Sequence, residues 1–196
     1  MTGALSARKT ELRKQVLAAR DALAPAVRAD ASARALARVA ALDALHSARC
    51  VMAYLSFGSE LDTAGLVRDL LARGVRLALP RINAATGEID PWVVSDPARD
   101  TVAGKWGLRE PDPARCTLVD LADIDFVLLP GVAFTVNGKR LGYGRGYYDR
   151  LIARFPARPV LVAAAFELQL VPDLPTGPAD QRTDLVVTEK DAYLAC

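Results

Sequence analysis

The chain has 196 residues, 52% of them hydrophobic and 24% charged, with a formal net charge of +2 at neutral pH. That length suffices for one domain, 1–196, with a sizeable core, and the near-neutral balance gives no reason to expect nucleic acid as a partner. The apolar stretches have strand length, too short for a membrane span, and no apolar leader follows the charged N-terminal residues.

In chain order, residues 6–23 read as an amphipathic helix with Leu12, Val16, Ala19 and Leu23 at helical spacing. Lys9, Arg13 and Arg20 form a cationic stripe beside the apolar one, a pattern that alone fits a solvated face. Pro25 suits the first turn of a second helix running to about residue 45, with the lone histidine, His46, near its end at the surface. Residues 50–57 make a strand candidate. Asp62 or Thr63 can cap the next helix, which reaches residue 73 and is closed by Gly74. A strand at 75–79 ends at Pro80-Arg81, residues 88–94 extend a sheet, and 97–113 is rich in loops around Trp106. Strands follow at 126–129, 160–165 and 184–188, with a helix at 147–155 and a Pro/Gly-rich loop at 172–178. Alternating strands and helices predict a single-domain α/β fold, a three-layer sandwich with a mainly parallel sheet, whose ligands gather beyond the carboxyl ends of the strands.

Between the strand at 126–129 and the helix at 147 lies Asn137-Gly-Lys-Arg-Leu-Gly-Tyr-Gly-Arg-Gly-Tyr-Tyr-Asp149. Glycines let backbone N–H groups approach an anion, and a following helix N-terminus adds partial positive charge. Lys139, Arg140 and Arg145 add side-chain donors, and Asp149 can hold a divalent cation against phosphates. The segment is not a P-loop, since residues 131–139 space their glycines too widely and put Arg140 where Ser/Thr belongs. Nor is Gly142-Tyr-Gly-Arg-Gly-Tyr a dinucleotide fingerprint, because its third glycine comes one residue early and no strand is expected directly before it. A nucleoside triphosphate site is the expectation. The single histidine and the scattered Cys50, Cys116 and Cys196 argue against histidine-assisted nucleophiles, zinc and a disulfide framework, and fit a reducing cytosol.

Four motifs in this order carry a family resemblance: Lys9-x-x-x-Arg13, Ser56-Phe-Gly-Ser-Glu-Leu-Asp-Thr63, Trp106-Gly-Leu-Arg-Glu-Pro111, and Arg140-Leu-Gly-Tyr-Gly-Arg-Gly-Tyr-Tyr-Asp149. Together with the closing segment 179–190, they resemble the 5-formyltetrahydrofolate cyclo-ligase (5,10-methenyltetrahydrofolate synthetase) family. The resemblance implies an enzyme acting on a small-molecule folate, and a monomer is the favoured state, while composition already points to a cytoplasmic chain without nucleic-acid or membrane partners. Its reaction would be ATP- and Mg2+-dependent cyclisation of 5-formyltetrahydrofolate through an iminium phosphate, on a fold related to the sugar-phosphate isomerase and CoA-transferase superfold. Carried over by position, Lys9, Arg13, Arg140, Leu141, Gly142, Tyr143, Gly144, Arg145, Gly146, Tyr147 and Tyr148 would bind ATP, with Lys9, Arg140 and Arg145 acting in catalysis. Phe57, Glu60 or Asp62, Trp106, and residues Tyr143 to Tyr147 would meet the folate. Asp149 and Asp180 would serve magnesium. Ala179 stands where the family often has histidine, which leaves Asp184 as a competitor of Asp180.

Each site residue also has a plain structural reading. Glu60 or Asp62 can cap a helix, Trp106 can anchor a loop, and Asp149 can favour a helix dipole. A folate-binding protein without catalysis, or a sugar-phosphate isomerase using no ATP, are the alternatives of other classes.

Overall fold

The computed structural model describes residues 2–104 and 107–195, so Trp106 lies outside the described residues. Seven strands form one sheet in the order β11-β10-β9-β6-β1-β2-β3. Its centre is parallel: β1 (Cys50–Met52), β2 (Arg76–Ile82), β6 (Phe126–Leu129), β9 (Val160–Ala164) and β10 (Leu185–Val187). Both edges are antiparallel, β3 (Ile89–Val93) beside β2 and β11 (Ala192–Leu194) beside β10.

Side-chain alternation places helices on both faces, as period-two burial requires. Val51, Leu77, Phe126, Leu128 and Val162 point to one face. There they meet Leu36 and Val39 of α2 (Pro25–Ala40), Leu45 of α3 (Asp43–Ser47), and Leu66 and Leu70 of α4 (Ala64–Ala72). Cys50, Met52, Val127, Leu129 and Leu161 point to the other, under Leu151 and Ile152 of α6 (Tyr147–Arg154). Phe126, Leu128, Leu129 and Leu161 have no exposed surface, and each such side chain contributes about 1.5–3 kcal/mol through burial.

The first helix, α1 (Thr2–Asp21), packs elsewhere. Its Val16, with Leu12, sits on Val132, Ala133 and Leu141, which belong to or flank a small hairpin of β7 (Ala133–Phe134) and β8 (Arg140–Leu141). A second hairpin pairs β4 (Thr101–Ala103) with β5 (Arg109–Pro111), after the short α5 (Pro97–Asp100).

Several expectations need correction. The strand expected over 50–57 pairs only through Met52, and the chain beyond Ala53 leaves the sheet to line a cleft. The second helix stops at Ala40 and restarts at Asp43, so exposed His46 belongs to a separate short helix. The region 97–113 holds a helical turn and a hairpin, and β11 was not expected at all. Most consequentially, strand β8 does immediately precede Gly142. The glycine loop therefore springs from a hairpin that α1 supports, not directly from the central sheet.

Candidate active site

Chain order reverses at the centre of the sheet: β2 lies on one side of β1, and β6, β9 and β10 on the other. Crossovers leaving such a point to opposite faces open a crevice beyond the strand ends. A cleft of about 490 Å³ occupies it, lined by Tyr54, Leu55 and Phe57 after β1, Pro80 and Ile82 of β2, and Pro130 after β6. Leu108, Arg109 and Glu110 close one side, and the glycine loop with Tyr147, Tyr148 and Asp149 closes the other.

Gly144 has φ +99° and Gly146 has φ +65°, conformations that side chains adopt only under strain. Gly146 is the N-cap of α6, so the loop ends by pointing that helix's N-terminus at the cleft. A Cβ on Gly144 would stand 3.3 Å from the Arg13 guanidinium carbon. Arg13 Nε donates to the Gly142 carbonyl at 2.7 Å, so α1 braces the loop from outside.

Charges on this wall are paired across long sequence distances. Arg140 Nη2 donates to Asp149 Oδ1 at 2.8 Å, and the Gln181 N–H donates to the same oxygen at 3.1 Å. The Arg140 side chain is 3% exposed, and its Nε is buried with no hydrogen-bond partner among the described residues. Lys9 Nζ donates to Asp180 Oδ2 at 2.5 Å, and the Gly177 N–H donates to that oxygen at 2.6 Å. Asp184 is engaged elsewhere: it accepts from the Leu161 N–H and Arg158, tying β9 to β10. Lys139, adjacent to Arg140, points away and pairs with Asp173 at 2.5 Å.

The facing wall centres on Glu60. Its Oε1 accepts from the Tyr143 hydroxyl at 2.6 Å and its Oε2 from the Phe57 N–H at 3.1 Å. Burial pushes its carboxyl above the usual range, opposed by the Tyr143 and Phe57 hydrogen bonds and the Arg20 charge. Burial and the Glu60 charge raise the Tyr143, Tyr148 and Tyr54 phenols, so all three remain protonated donors. Phe57 and Tyr143 stack edge-tilted with ring centroids 5.5 Å apart. Asp62 is exposed and accepts from the Ala64 N–H at 3.0 Å, just before Thr63, the N-cap of α4, and it is not a lining residue of the cleft.

The structure thus gathers Phe57, Glu60, Arg140, Gly142, Tyr143, Arg145, Gly146, Tyr147, Tyr148 and Asp149 around one cleft. Lys9, Arg13 and Asp180 stand behind the loop, and Leu141 is buried beneath it. Sequence reasoning passed over three lining residues: Tyr54, placed inside the strand expected at 50–57, and Arg109 and Glu110, quoted within the motif at 106–111 but given no role in the site. It also read Arg20 as part of a surface stripe, although that side chain is buried against this wall.

A buried carboxylate hydrogen-bonded to a tyrosine of a cation-rich glycine loop, at the strand-order reversal of a parallel sheet, defines an α/β enzyme of the open-sheet kind. The comparisons narrow the class. The model of the 5-formyltetrahydrofolate cyclo-ligase family matches residues 5–189. The 5-formyltetrahydrofolate cyclo-ligase of Mycolicibacterium smegmatis is 34% identical over 152 residues, covering 76% of this chain and 78% of its own. That of Escherichia coli K12 is 30% identical over 177 residues, covering 89% and 96%. The NMR structure of Aquifex aeolicus 5,10-methenyltetrahydrofolate synthetase matches with a TM-score of 0.84 at 33% identity, over 95% of this chain and 92% of that one. This chain belongs to the 5-formyltetrahydrofolate cyclo-ligase family.

Proposed function

We propose that the protein converts 5-formyltetrahydrofolate to 5,10-methenyltetrahydrofolate, consuming ATP and releasing ADP and phosphate. The observation that carries this reading is the pairing of two unlike walls in one cleft. A cation-rich glycine loop suits a polyphosphate, and a buried carboxylate among aromatic rings suits a flat ring with N–H edges.

The chemistry agrees with the residue types. A formamide oxygen is a poor leaving group, so ring closure by N10 alone would have to expel oxide or hydroxide. Transfer of the γ-phosphoryl group to the formyl oxygen gives an iminium phosphate. N10 then attacks the formyl carbon, loses its proton, and phosphate departs. Such transfer needs positioning and charge neutralisation more than a protein nucleophile. Arg140, Arg145 and the loop amides are suited to the phosphates, with Lys9 and Arg13 reaching them from α1. Glu60, Tyr143 and Phe57 would hold and orient the pterin.

Two features fit ATP and a magnesium ion. The buried, unpartnered Nε of Arg140 can donate to a phosphate oxygen. Among the described residues no cluster of three or more acidic, His or Cys side chains could hold a metal by itself. Magnesium suits that situation, since it takes one or two carboxylates and completes its shell with substrate phosphates and water. Asp149, which lines the cleft, would supply one carboxylate, and Asp180, which precedes the Gln181 N–H bound to Asp149, would be the second. When bound, the ion would neutralise phosphate oxygens and orient the transferred group.

We further propose a monomeric enzyme of one domain working in a reducing cytoplasm, which the free, buried thiols of Cys50 and Cys116 support. The test follows methenyltetrahydrofolate absorbance with purified protein, 5-formyltetrahydrofolate and MgATP. Growth of signal that stops on omitting any component, or on chelating magnesium, is the expected outcome. A folded protein that binds both ligands and makes no product would be a folate-binding protein without catalysis.

A further inference from the structure

Arg20 is charged and only 3% exposed, at the end of α1 against the wall that carries Glu60. Its Nε donates to Ser59 Oγ at 3.0 Å, and its Nη2 donates to the Tyr143 hydroxyl at 3.1 Å. A guanidinium has donors only and never accepts. Both hydroxyls must therefore accept from Arg20 and send their single protons onward. Ser59 sends its proton to Asp21, and Tyr143 sends its proton to Glu60 Oε1 at 2.6 Å. One buried cation thus dictates the direction of two hydroxyl protons.

Without that constraint a second arrangement exists. A protonated Glu60 could donate to the Tyr143 oxygen, reversing the bond at almost the same geometry. Glu60 would then be a neutral carboxyl with its one proton spent on Tyr143, a weaker acceptor than the carboxylate an N–H-rich ring needs. Tyr54, Tyr148, Tyr143, Arg20 and the Phe57 N–H are the groups that bear on Glu60. Of these, Arg20 carries the positive charge, and a single hydroxyl separates it from the carboxylate.

We propose that Arg20 is a positioning residue that aims the Tyr143 proton at Glu60, so that this carboxylate meets the substrate as an acceptor. This inference rests on the reading of Glu60 as the pterin contact. It extends that reading to a residue that touches no ligand, since Arg20 does not line the cleft.

The test compares Arg20→Gln and Arg20→Lys with the wild type across pH. Glutamine both donates and accepts, so it cannot dictate the proton; lysine, like arginine, only donates. For Arg20→Gln the acid limb of kcat/KM for 5-formyltetrahydrofolate should rise by about one pH unit, as loss of a nearby cation does for a carboxyl. At neutral pH its KM for the folate should rise about tenfold, while that for ATP changes by less than about twofold. Arg20→Lys should return the limb towards its wild-type position. A folded Arg20→Gln with an unmoved limb and no KM split overturns the inference. Should that variant fail to fold, Tyr143→Phe removes the aimed proton itself, and an unmoved limb there overturns it equally. A wild type that makes no methenyltetrahydrofolate sinks the proposed function instead, so the two failures are distinguishable.

Discussion

The two walls of the cleft handle charge in opposite ways. On the glycine-loop wall, Arg140 and Lys9 sit in ion pairs with Asp149 and Asp180. On the proposed function, the cations would turn towards phosphate and the carboxylates towards a metal ion. This wall is a set of charges held in neutral pairs, which the proposed ligands would divide. On the opposite wall, Glu60 is satisfied by one hydroxyl and one backbone N–H, and its neighbours are tyrosines and an internal arginine. That wall is fixed in advance. The difference teaches that charge neutralisation and ring recognition call for different supports: exchangeable pairs for the first, a directed hydrogen-bond chain for the second.

Breaking the exchangeable wall should have the largest effect. Arg140→Ala strands Asp149 beside a buried void, and losing one partner of a buried pair costs about 3–5 kcal/mol. A large fall in melting temperature together with loss of turnover is expected. Arg145→Ala should keep the fold and lower kcat by about 10³-fold or more, read by the absorbance assay beside circular dichroism. Asp149→Ala should lose turnover and also some stability in the same measurements, since it leaves the buried Arg140 guanidinium without its carboxylate. Wild-type turnover in both would remove the phosphate reading of this wall.

Glu60→Gln, which keeps the volume, probes the fixed wall. Folate KM should rise about tenfold or more with ATP KM unchanged, measured by varying each substrate separately. Because burial raises the Glu60 carboxyl, its acid limb should lie above the ordinary carboxylate range and vanish in the variant. The sign for stability is opposite to that for binding. A raised folded value means the folded chain holds this proton more tightly, so Glu60's contribution to stability declines as pH rises through that range.

Smaller again is Gly144→Ala. Its φ of +99° and the nearby Arg13 guanidinium should make it about 1–2 kcal/mol less stable and raise the ATP KM, checked by denaturant titration and kinetics. Smallest is Lys139→Ala, whose partner Asp173 is exposed on the surface. No measurable change in turnover or melting temperature is expected, although its neighbour Arg140 should be indispensable.

That last contrast shows what the sequence could convey. The glycine loop was legible because glycines, cations and a carboxylate compressed between a strand and a helix have few other uses. The α/β order was legible from period-two and period-3.6 patterns, and the parallel centre of the sheet followed. The direction of each cation was not legible, because Lys139 and Arg140 alternate across a hairpin that the pattern did not reveal. Two-residue strands such as β7 and β8 carry too little periodicity to register. Glu60 and Asp62 were equivalent as letters, and only the turn after Phe57 sends one inward and leaves the other at the surface beside the start of α4. Arg20 was hidden by a sound rule, since a cationic stripe on a lone helix is usually solvated. Here the face is covered because α1 docks its C-terminal end on Ser59 and Tyr143.

The ion pair between Lys9 and Asp180 spans 171 positions along the chain. During synthesis the first helix leaves the ribosome long before its partner segment exists, so it cannot complete the glycine-loop wall as it emerges. Closing so long a loop adds little equilibrium cost, because the entropy grows only with the logarithm of length. It does add delay, since contacts between distant parts of a chain form late. Nucleotide affinity should therefore be among the last properties a nascent chain acquires, after the sheet beneath the cleft has already formed.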